Sequence, residues 1–285
     1  MKIGISINPY DERYARLGDG KYNMIAESGF SAIDYHISNT DSEIYTCDEA
    51  ELAAQMARER ALLSAASLQI SQVHGPWRCP PQDGTEEDRR ERMEKMRRSL
   101  LVNSLLECPF WVVHPIMPFG TRDLLADKAA ETWDLNVEFL SELVTYAKAL
   151  GVTVCLENMP MRNFSVATPA DILKLVRTVN DDHLRICLDT GHVAVFPELS
   201  PAEAVRELGD FVKVLHVHDN MGEKDSHLWP TKGIVNWGEF IRALREIRFA
   251  GVFSLESRLP QTDDNAEFQG AHAELYRLAR EIISP

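Results

Sequence analysis

Residues 212–233 read VKVLHVHDNMGEKDSHLWPTKG. The segment opens with Val212, Val214, Leu215 and Val217, the apolar, β-branched composition of a parallel strand covered on both faces. It then turns polar. His216, His218 and Asp219 stand where that strand ends, and Asn220, Gly222 and Asp225 lead into a loop that delivers His227. Imidazole and carboxylate are the side chains that hold borderline divalent metals. A single histidine at a strand end is ordinarily a hydrogen-bonded rim residue, so the argument turns on whether the pattern recurs.

It recurs along the whole chain. Strand-like runs are expected at 2–7, 32–37, 70–74, 110–116, 152–157, 184–188, 212–217 and 252–256. Helical patterns fill the intervals at 22–28, 48–68, 85–106 and 124–150, from Thr168-Pro169, at 200–208, from Asn236 and at 264–283. Asp48, Thr168 and Asn236 are cap residues, with Glu239 at the capping-box position, and Gly29 and Gly151 end helices. Eight strand and helix pairs without a composition shift are what a (β/α)8 TIM barrel requires, so one α/β domain is expected over 1–285. A doubly wound sheet would place a glycine-rich phosphate turn after the first strand. The chain has NPYDERYARLGDG there, with no G-x-G-x-x-G.

Composition narrows the function. A formal charge of −14, from 44 acidic and 30 basic residues, disfavours a nucleic-acid partner, because that affinity comes largely from Lys and Arg on phosphates. Arg89, Arg90, Arg97 and Arg98 are interleaved with Glu86, Glu87, Glu91 and Glu94, a solvated helix face rather than a basic patch. The five cysteines, Cys47, Cys79, Cys108, Cys155 and Cys187, form no C-x-x-C pair, which speaks against a disulfide framework or zinc ribbon. No signal peptide and no membrane span are expected, and a reducing cytoplasm fits.

In barrel enzymes chemistry sits at the carboxyl ends of the strands. Those ends carry His74, His114, Glu157, Asp189 with His192, His216 and Glu256, and the loop after the seventh strand adds Asp225 and His227. Asp189 alone would pass as a helix cap, and Glu256 as a partner of Arg258. Five histidines and four carboxylates at one mouth would repel and dehydrate one another without a cation, so a divalent metal site is expected.

With LEN at 156–158, LDTGH at 188–192, and the H-x-H-D-N, D-x-H and G-x-x-x-W series from His216 to Trp237, the chain resembles the xylose-isomerase-like barrel superfamily. That superfamily includes sugar isomerases, ketose 3-epimerases, inosose dehydratases and the endonuclease IV family of abasic-site nucleases. For the isomerase and epimerase branches the resemblance implies one divalent ion on Glu157, Asp189, His216 and Glu256. For the nuclease branch it implies three zinc ions, with His74, His114, His192, Asp225 and His227 added. One to three ions, zinc or manganese, are therefore expected. The chain departs from the nuclease pattern at Trp229, where a second histidine is usual in that loop, and at Gly191, where a cysteine is usual.

The expected activity is a metal-dependent isomerase or epimerase acting on a ketose, aldose or polyol through an enediolate, with Glu157 and Glu256 as proton acceptor and donor. His192 would hydrogen bond the reacting oxygens, and Trp77 and Trp229 would wall the pocket against the C–H faces of the sugar. The alternatives are an inosose-type dehydratase, a zinc phosphodiesterase, and a noncatalytic metal- or sugar-binding barrel. The expected partner is a small carbohydrate, with no membrane; a homo-oligomer is compatible with the chain. No Lys or Arg cluster in the sequence marks a phosphate pocket, so an unphosphorylated substrate is expected.

Overall fold

In the computed structural model, which describes residues 1–77 and 83–284, apolar strands alternate with helices from one end of the chain to the other. The strands are β1 (Lys2–Ile7), β2 (Ala32–His36), β3 (Gln69–His74), β4 (Phe110–Val113), β5 (Thr153–Glu157), β6 (Leu184–Asp189), β7 (Val212–His216) and β8 (Val252–Leu255). All pair parallel in the order β7-β6-β5-β4-β3-β2-β1-β8. The ring closes just beyond β7: the Val217 amide donates to the Ser254 carbonyl at 2.8 Å, and the Glu256 amide donates to the Val217 carbonyl at 3.0 Å. The expected single (β/α)8 barrel is what the chain forms.

The pleat explains where the polar residues go. Side chains two apart share a face of a strand, so a small apolar residue inside the barrel is followed by a polar one higher on the same face. Val112, Cys155, Cys187 and Val214 form a separate apolar cluster inside the barrel. Two residues on stand His114, Glu157, Asp189 and His216. The opposite face of the strands joins the inner stripes of the helices in the larger core.

Helix ends follow local chemistry. Thr85 with Asp88, and Thr168 with Asp171, make reciprocal capping boxes, and Pro169 occupies the first turn of its helix. Asn236 caps the helix Trp237–Glu246 through the Glu239 amide at 3.2 Å, but Glu239 does not reciprocate as its position suggests: its carboxylate faces Arg242 and Arg206. Two boundaries also differ from expectation. Strand β4 stops at Val113 because the Asn136 side chain takes over both the amide and the carbonyl of Ile116, at 2.9 and 3.0 Å. The following helix begins at Ala129 rather than at 124, since Asp123 draws the Lys128 amide onto its carbonyl at 2.9 Å.

The described cysteines Cys47, Cys108, Cys155 and Cys187 are free, and Cys79 lies outside the described residues. Arg97 faces Glu94 and Glu142, and Arg98 donates to the Ile44 carbonyl. No described helix is long and apolar enough to cross a membrane.

The loop from β7 to the next helix is pinned by Asp219, which is fully buried. Its backbone pairs with Leu228 in both directions at 2.8 Å. Its carboxylate accepts from the Thr231 amide at 3.1 Å, the Val235 amide at 3.1 Å and the Trp237 indole at 3.0 Å. Gly233 packs so closely that an added Cβ would lie 2.1 Å from the Asn220 carbonyl oxygen. Asp219→Ala strands several buried donors at once and should destabilise the protein by about 3 kcal/mol. Asp219→Asn should cost less, as read by denaturant unfolding of both variants.

Candidate metal centre

Glu157, Asp189, His216 and Glu256 arrive from four adjacent strand ends, and each offers a ligand atom within 4.8 Å of the others. Glu157 sits at the middle. Its Oε1 lies 2.9 Å from His216 Nδ1 and 3.5 Å from His192 Nδ1, and its Oε2 lies 3.0 Å from His114 Nε2 and 3.4 Å from His74 Nε2. Glu256 Oε2 approaches His216 Nδ1 from the other side at 3.3 Å. Asp225 Oδ2 lies 2.9 Å from His227 Nε2 and 3.4 Å from His192 Nε2. All nine residues expected from the sequence therefore meet at one end of the barrel. Donors held about 2.0–2.2 Å from one ion stand roughly 3–4 Å apart, and His216 Nδ1 lies 2.9 and 3.3 Å from Glu157 and Glu256 with Asp189 within 4.8 Å.

The tautomers give an independent test of whether a cation fits. His74 Nδ1 sits 2.8 Å from the Gly75 carbonyl, His192 Nδ1 2.7 Å from the Asn158 carbonyl, and His227 Nδ1 2.7 Å from the Glu256 carbonyl. A carbonyl only accepts, so each Nδ1 carries the proton, and the neutral ring aims its Nε2 lone pair at a carboxylate. His216 is the mirror case. Its Nε2 donates to Asp34 Oδ2 at 2.9 Å, leaving Nδ1 to face Glu157 and Glu256. Lone pairs facing carboxylates require a positive charge between them. Metal-bound histidines ordinarily give their second nitrogen to a carbonyl or carboxylate in this way. The donor set therefore fits a divalent cation. His114 differs, since its buried Nδ1 has no hydrogen-bond partner among the described residues.

Without a cation, protons fill the same need. Burial opposes charge on His192, but Asp189, Asp225 and Glu157 around it raise its pKa from 6.5 to about 10. His227 is likewise disfavoured by burial and is raised from 6.5 to about 9 by its bond to Asp225 and by Glu256. Burial resists the charge on Glu157 too, yet His216 and His114 hold its carboxyl well below the usual range. His114 goes the other way: burial lowers it to about 4, so it stays neutral.

Asp34 and His36 are not among the residues expected in the site, and His218 is expected only at its strand end, without a role. Asp34, wholly buried on β2, takes on one oxygen the His216 Nε2–H, the Gln72 amide at 3.1 Å and His36 at 3.3 Å. His36 stands at the end of β2, 3.8 Å from Glu256 Oε1. His218 donates Nε2–H to Asp189 Oδ2 at 3.0 Å and stacks on His227 with ring centroids 4.1 Å apart. Asp34 and His36 alternate with Ile33 and Tyr35, the same two-residue step as at the other strand ends, and that was the available signal.

The short motifs acquire physical roles. The Asn158 side chain bridges to the amide and carbonyl of Asp189 at 2.9 and 3.1 Å, tying the end of β5 to that of β6. Asp189 is both a ligand candidate and a helix cap, accepting from the His192 amide at 2.6 Å. The Thr190 hydroxyl donates to the His218 carbonyl at 2.7 Å. At Gly191 a Cβ would fall 1.9 Å from the His218 ring, so only glycine leaves room for that histidine.

The mouth opens as a cavity of about 210 Å³ lined by His36, Trp77, His114, Met159, Met161 and Glu256 among others. Trp77 stands edge-on to His114 with ring centroids 4.5 Å apart. Trp229 lies in the neighbouring groove, its indole donating to the Arg258 carbonyl at 2.8 Å. The tryptophans thus serve separate cavities.

A barrel of eight parallel strands with a histidine and carboxylate ring at its carboxyl end defines an α/β barrel whose mouth could hold a metal ion. The chain belongs to the Xylose isomerase-like TIM barrel family, which matches residues 23–278. It is 33% identical to the uncharacterized protein MJ1311 of Methanocaldococcus jannaschii over 65% of this chain and 64% of that one, so the match spans a little under two thirds of the relative. It is 29% identical to D-psicose 3-epimerase of Agrobacterium fabrum over 46% of this chain and 43% of that protein. Inosose isomerase of Bacillus subtilis is 27% identical over 44% of this chain and 47% of that protein. A crystal structure of D-psicose 3-epimerase with D-fructose has the same fold, with a TM-score of 0.77 at 20% identity over 100% of both chains.

Two outcomes follow. Asp34→Ala, which frees His216 to rotate, should weaken divalent-metal affinity about 10- to 100-fold in a competitive chelator titration. The pH dependence of metal-free protein should carry the raised histidines. His192 and His227 stabilise fully below about pH 6.5, and that contribution is lost as pH rises through about 9 to 10. Chelator-treated protein should lose melting temperature across that interval, and saturating metal, which replaces the protons, should flatten the slope.

Proposed function

We propose that the protein is a metal-dependent sugar isomerase or epimerase that moves a proton on a carbon next to a carbonyl. The observation that carries this is the placement of Glu157 and Glu256. They approach His216 Nδ1 from different strands, at 2.9 and 3.3 Å, at the base of an open cavity. Family membership and the epimerase and isomerase names of its relatives support the same class.

Glu157, Asp189, His216 and Glu256 would hold the ion, which when bound supplies Lewis acidity to a carbonyl and its neighbouring hydroxyl. The two glutamates are not equivalent. Glu157 is wholly buried and engaged on both oxygens by imidazoles, which makes it a weak base and a firm ligand. Glu256 keeps part of its side chain exposed to the cavity, with His36 as its neighbour at 3.8 Å. Glu256 is therefore the first proton acceptor, and Glu157 serves the opposite face once an oxygen is released. His192, fixed by Asn158 and Asp225, orients the reacting oxygens. Trp77 walls the cavity on the side of His114 and suits an apolar C–H face. The substrate would be a small carbohydrate, handled by a cytoplasmic enzyme.

A second reading rests on a specific observation: His74, His114, His192, Asp225 and His227 also converge, as a multi-zinc phosphodiester hydrolase would need. The chain charge of −14 and the engagement of Arg97 and Arg98 within the fold weigh against a duplex partner.

Manganese- or zinc-loaded protein should exchange the α-hydrogen of a ketose with solvent deuterium, followed by NMR. Glu256→Gln should slow exchange by 100-fold or more when compared with the wild type at saturating metal, with occupancy measured on the same sample. Release of cleaved strands from an abasic duplex, with no exchange on any ketose, would replace the isomerase with the hydrolase.

A further inference from the structure

Beside the mouth cavity lies a second groove of about 590 Å³, lined by Lys224, Asp225, Ser226, His227, Leu228, Trp229, Lys232 and Arg258. Asp225 and His227 form a wall common to both cavities. The groove is assembled from both ends of the loop after β7 and from the segment after β8, and its shape is set locally. The Arg258 amide donates to the His227 carbonyl at 2.9 Å, the Trp229 indole to the Arg258 carbonyl at 2.8 Å, and the Lys232 amide to the Trp229 carbonyl at 3.0 Å. The cations therefore stand on a bonded frame.

Their charges are unspent. In a chain with 44 acidic residues, none of Lys224, Lys232 and Arg258 makes a side-chain ion pair or hydrogen bond among the described residues. The one acid on the groove wall, Asp225, is turned to His192, His218 and His227. Elsewhere on the surface arginines and lysines are commonly matched, as at Arg206 with Glu246 and Lys148 with Asp181. Three unmatched cations, two from the loop after β7 and one from the segment after β8, form a local positive field beside a strongly acidic centre.

Size points the same way. Ligand cavities commonly run from about 300 to 1,000 Å³, so the mouth, at about 210 Å³, takes only part of a typical ligand. A substrate whose carbonyl end reaches Glu157 and Glu256 and which is larger than the mouth can extend into the groove, which begins at the mouth's Asp225–His227 wall. We infer that Lys224, Lys232 and Arg258 form an anion subsite, and that the substrate is a sugar bearing a phosphate or carboxylate at the end remote from the reacting carbons. This rests on the isomerase reading for the reacting end only. Charge-assisted bonds from exposed side chains act on affinity and weaken with salt.

The test uses the full chain loaded with manganese and three ligands, D-fructose, D-fructose 6-phosphate and D-fructuronate, with binding measured by calorimetry at low and high salt. An anionic ketose should bind about tenfold more tightly than D-fructose, the scale of a few exposed charge contacts, and the margin should shrink at high salt. The better of the two anions identifies the group. The triple variant Lys224→Ala, Lys232→Ala, Arg258→Ala should lose the margin while its affinity for D-fructose and its metal content stay unchanged. Equal binding of all three ligands, no binding of either anion, or a margin that survives the triple variant overturns the subsite. An abasic duplex whose binding depends on these cations, where the anionic sugars gain nothing, overturns it as well. Deuterium exchange into D-fructose is scored separately. Exchange without an anion margin removes the subsite and leaves the isomerase, and a cation-dependent margin without exchange on any of the three does the reverse.

Discussion

The centre of the molecule is one carboxylate faced by four imidazoles. Glu157 ends β5 on the inner face of the barrel, and His74, His114, His192 and His216 surround its two oxygens at 2.9 to 3.5 Å. Three of these rings are held from behind, since a free imidazole would rotate to find water or a better partner, and the fourth, His114, is packed edge-on against Trp77. The holding groups are the Gly75 and Asn158 carbonyls and the Asp34 carboxylate. The Asn158 clamp between strand ends fixes one of those backing groups, and the Asp219 frame separately fixes the β7 loop that carries Asp225 and His227.

This arrangement explains how far the sequence could be read. Strands announced themselves as short apolar runs, and polar residues at their ends stood out because burial makes an unpaired charge costly. That contrast located Glu157, Asp189, His216 and Glu256 with their five companions. It failed on β2, where Asp34 and His36 sit inside a strand read only as an apolar run, so the carboxylate that orients His216 went unnoticed. His218 stood out as a strand-end histidine, yet its role as donor to Asp189 depends on the vacant space above Gly191, which no spacing rule conveys. The errors at 116 and 124 share a cause. Side-chain bonds from Asn136 and backbone bonds at Asp123 ended or delayed elements whose apolar patterns continue. Trp229 was expected beside Trp77, but the β7 loop turns it toward the segment after β8.

The two cavities divide the work of recognition. The mouth is small and lined largely by buried histidines and carboxylates, which leave little freedom to adapt. The groove is more exposed, and its side chains come from loops, where sequence change costs the barrel least. On the proposed function, reaction type would reside in the barrel and substrate choice in the loops, and among the described lining residues the two cavities share Asp225 and His227. His227 adopts a left-handed backbone, φ 49°, at this junction. The strain is that of a residue forced to face two ways, with Nδ1 toward the Glu256 carbonyl and Nε2 toward Asp225.

The contact between Gly191 and His218 reaches beyond the site itself. Because the imidazole occupies the volume that any side chain at 191 would need, the two positions behave as a single choice made in two places. A lineage moving between this arrangement and one with a side chain on the strand-six turn must cross either a steric overlap or an emptied space beside Asp189. Sequences of such barrels should therefore sort into two camps at this pair, with few intermediates, and glycine at 191 marks on which side of the divide a given chain stands.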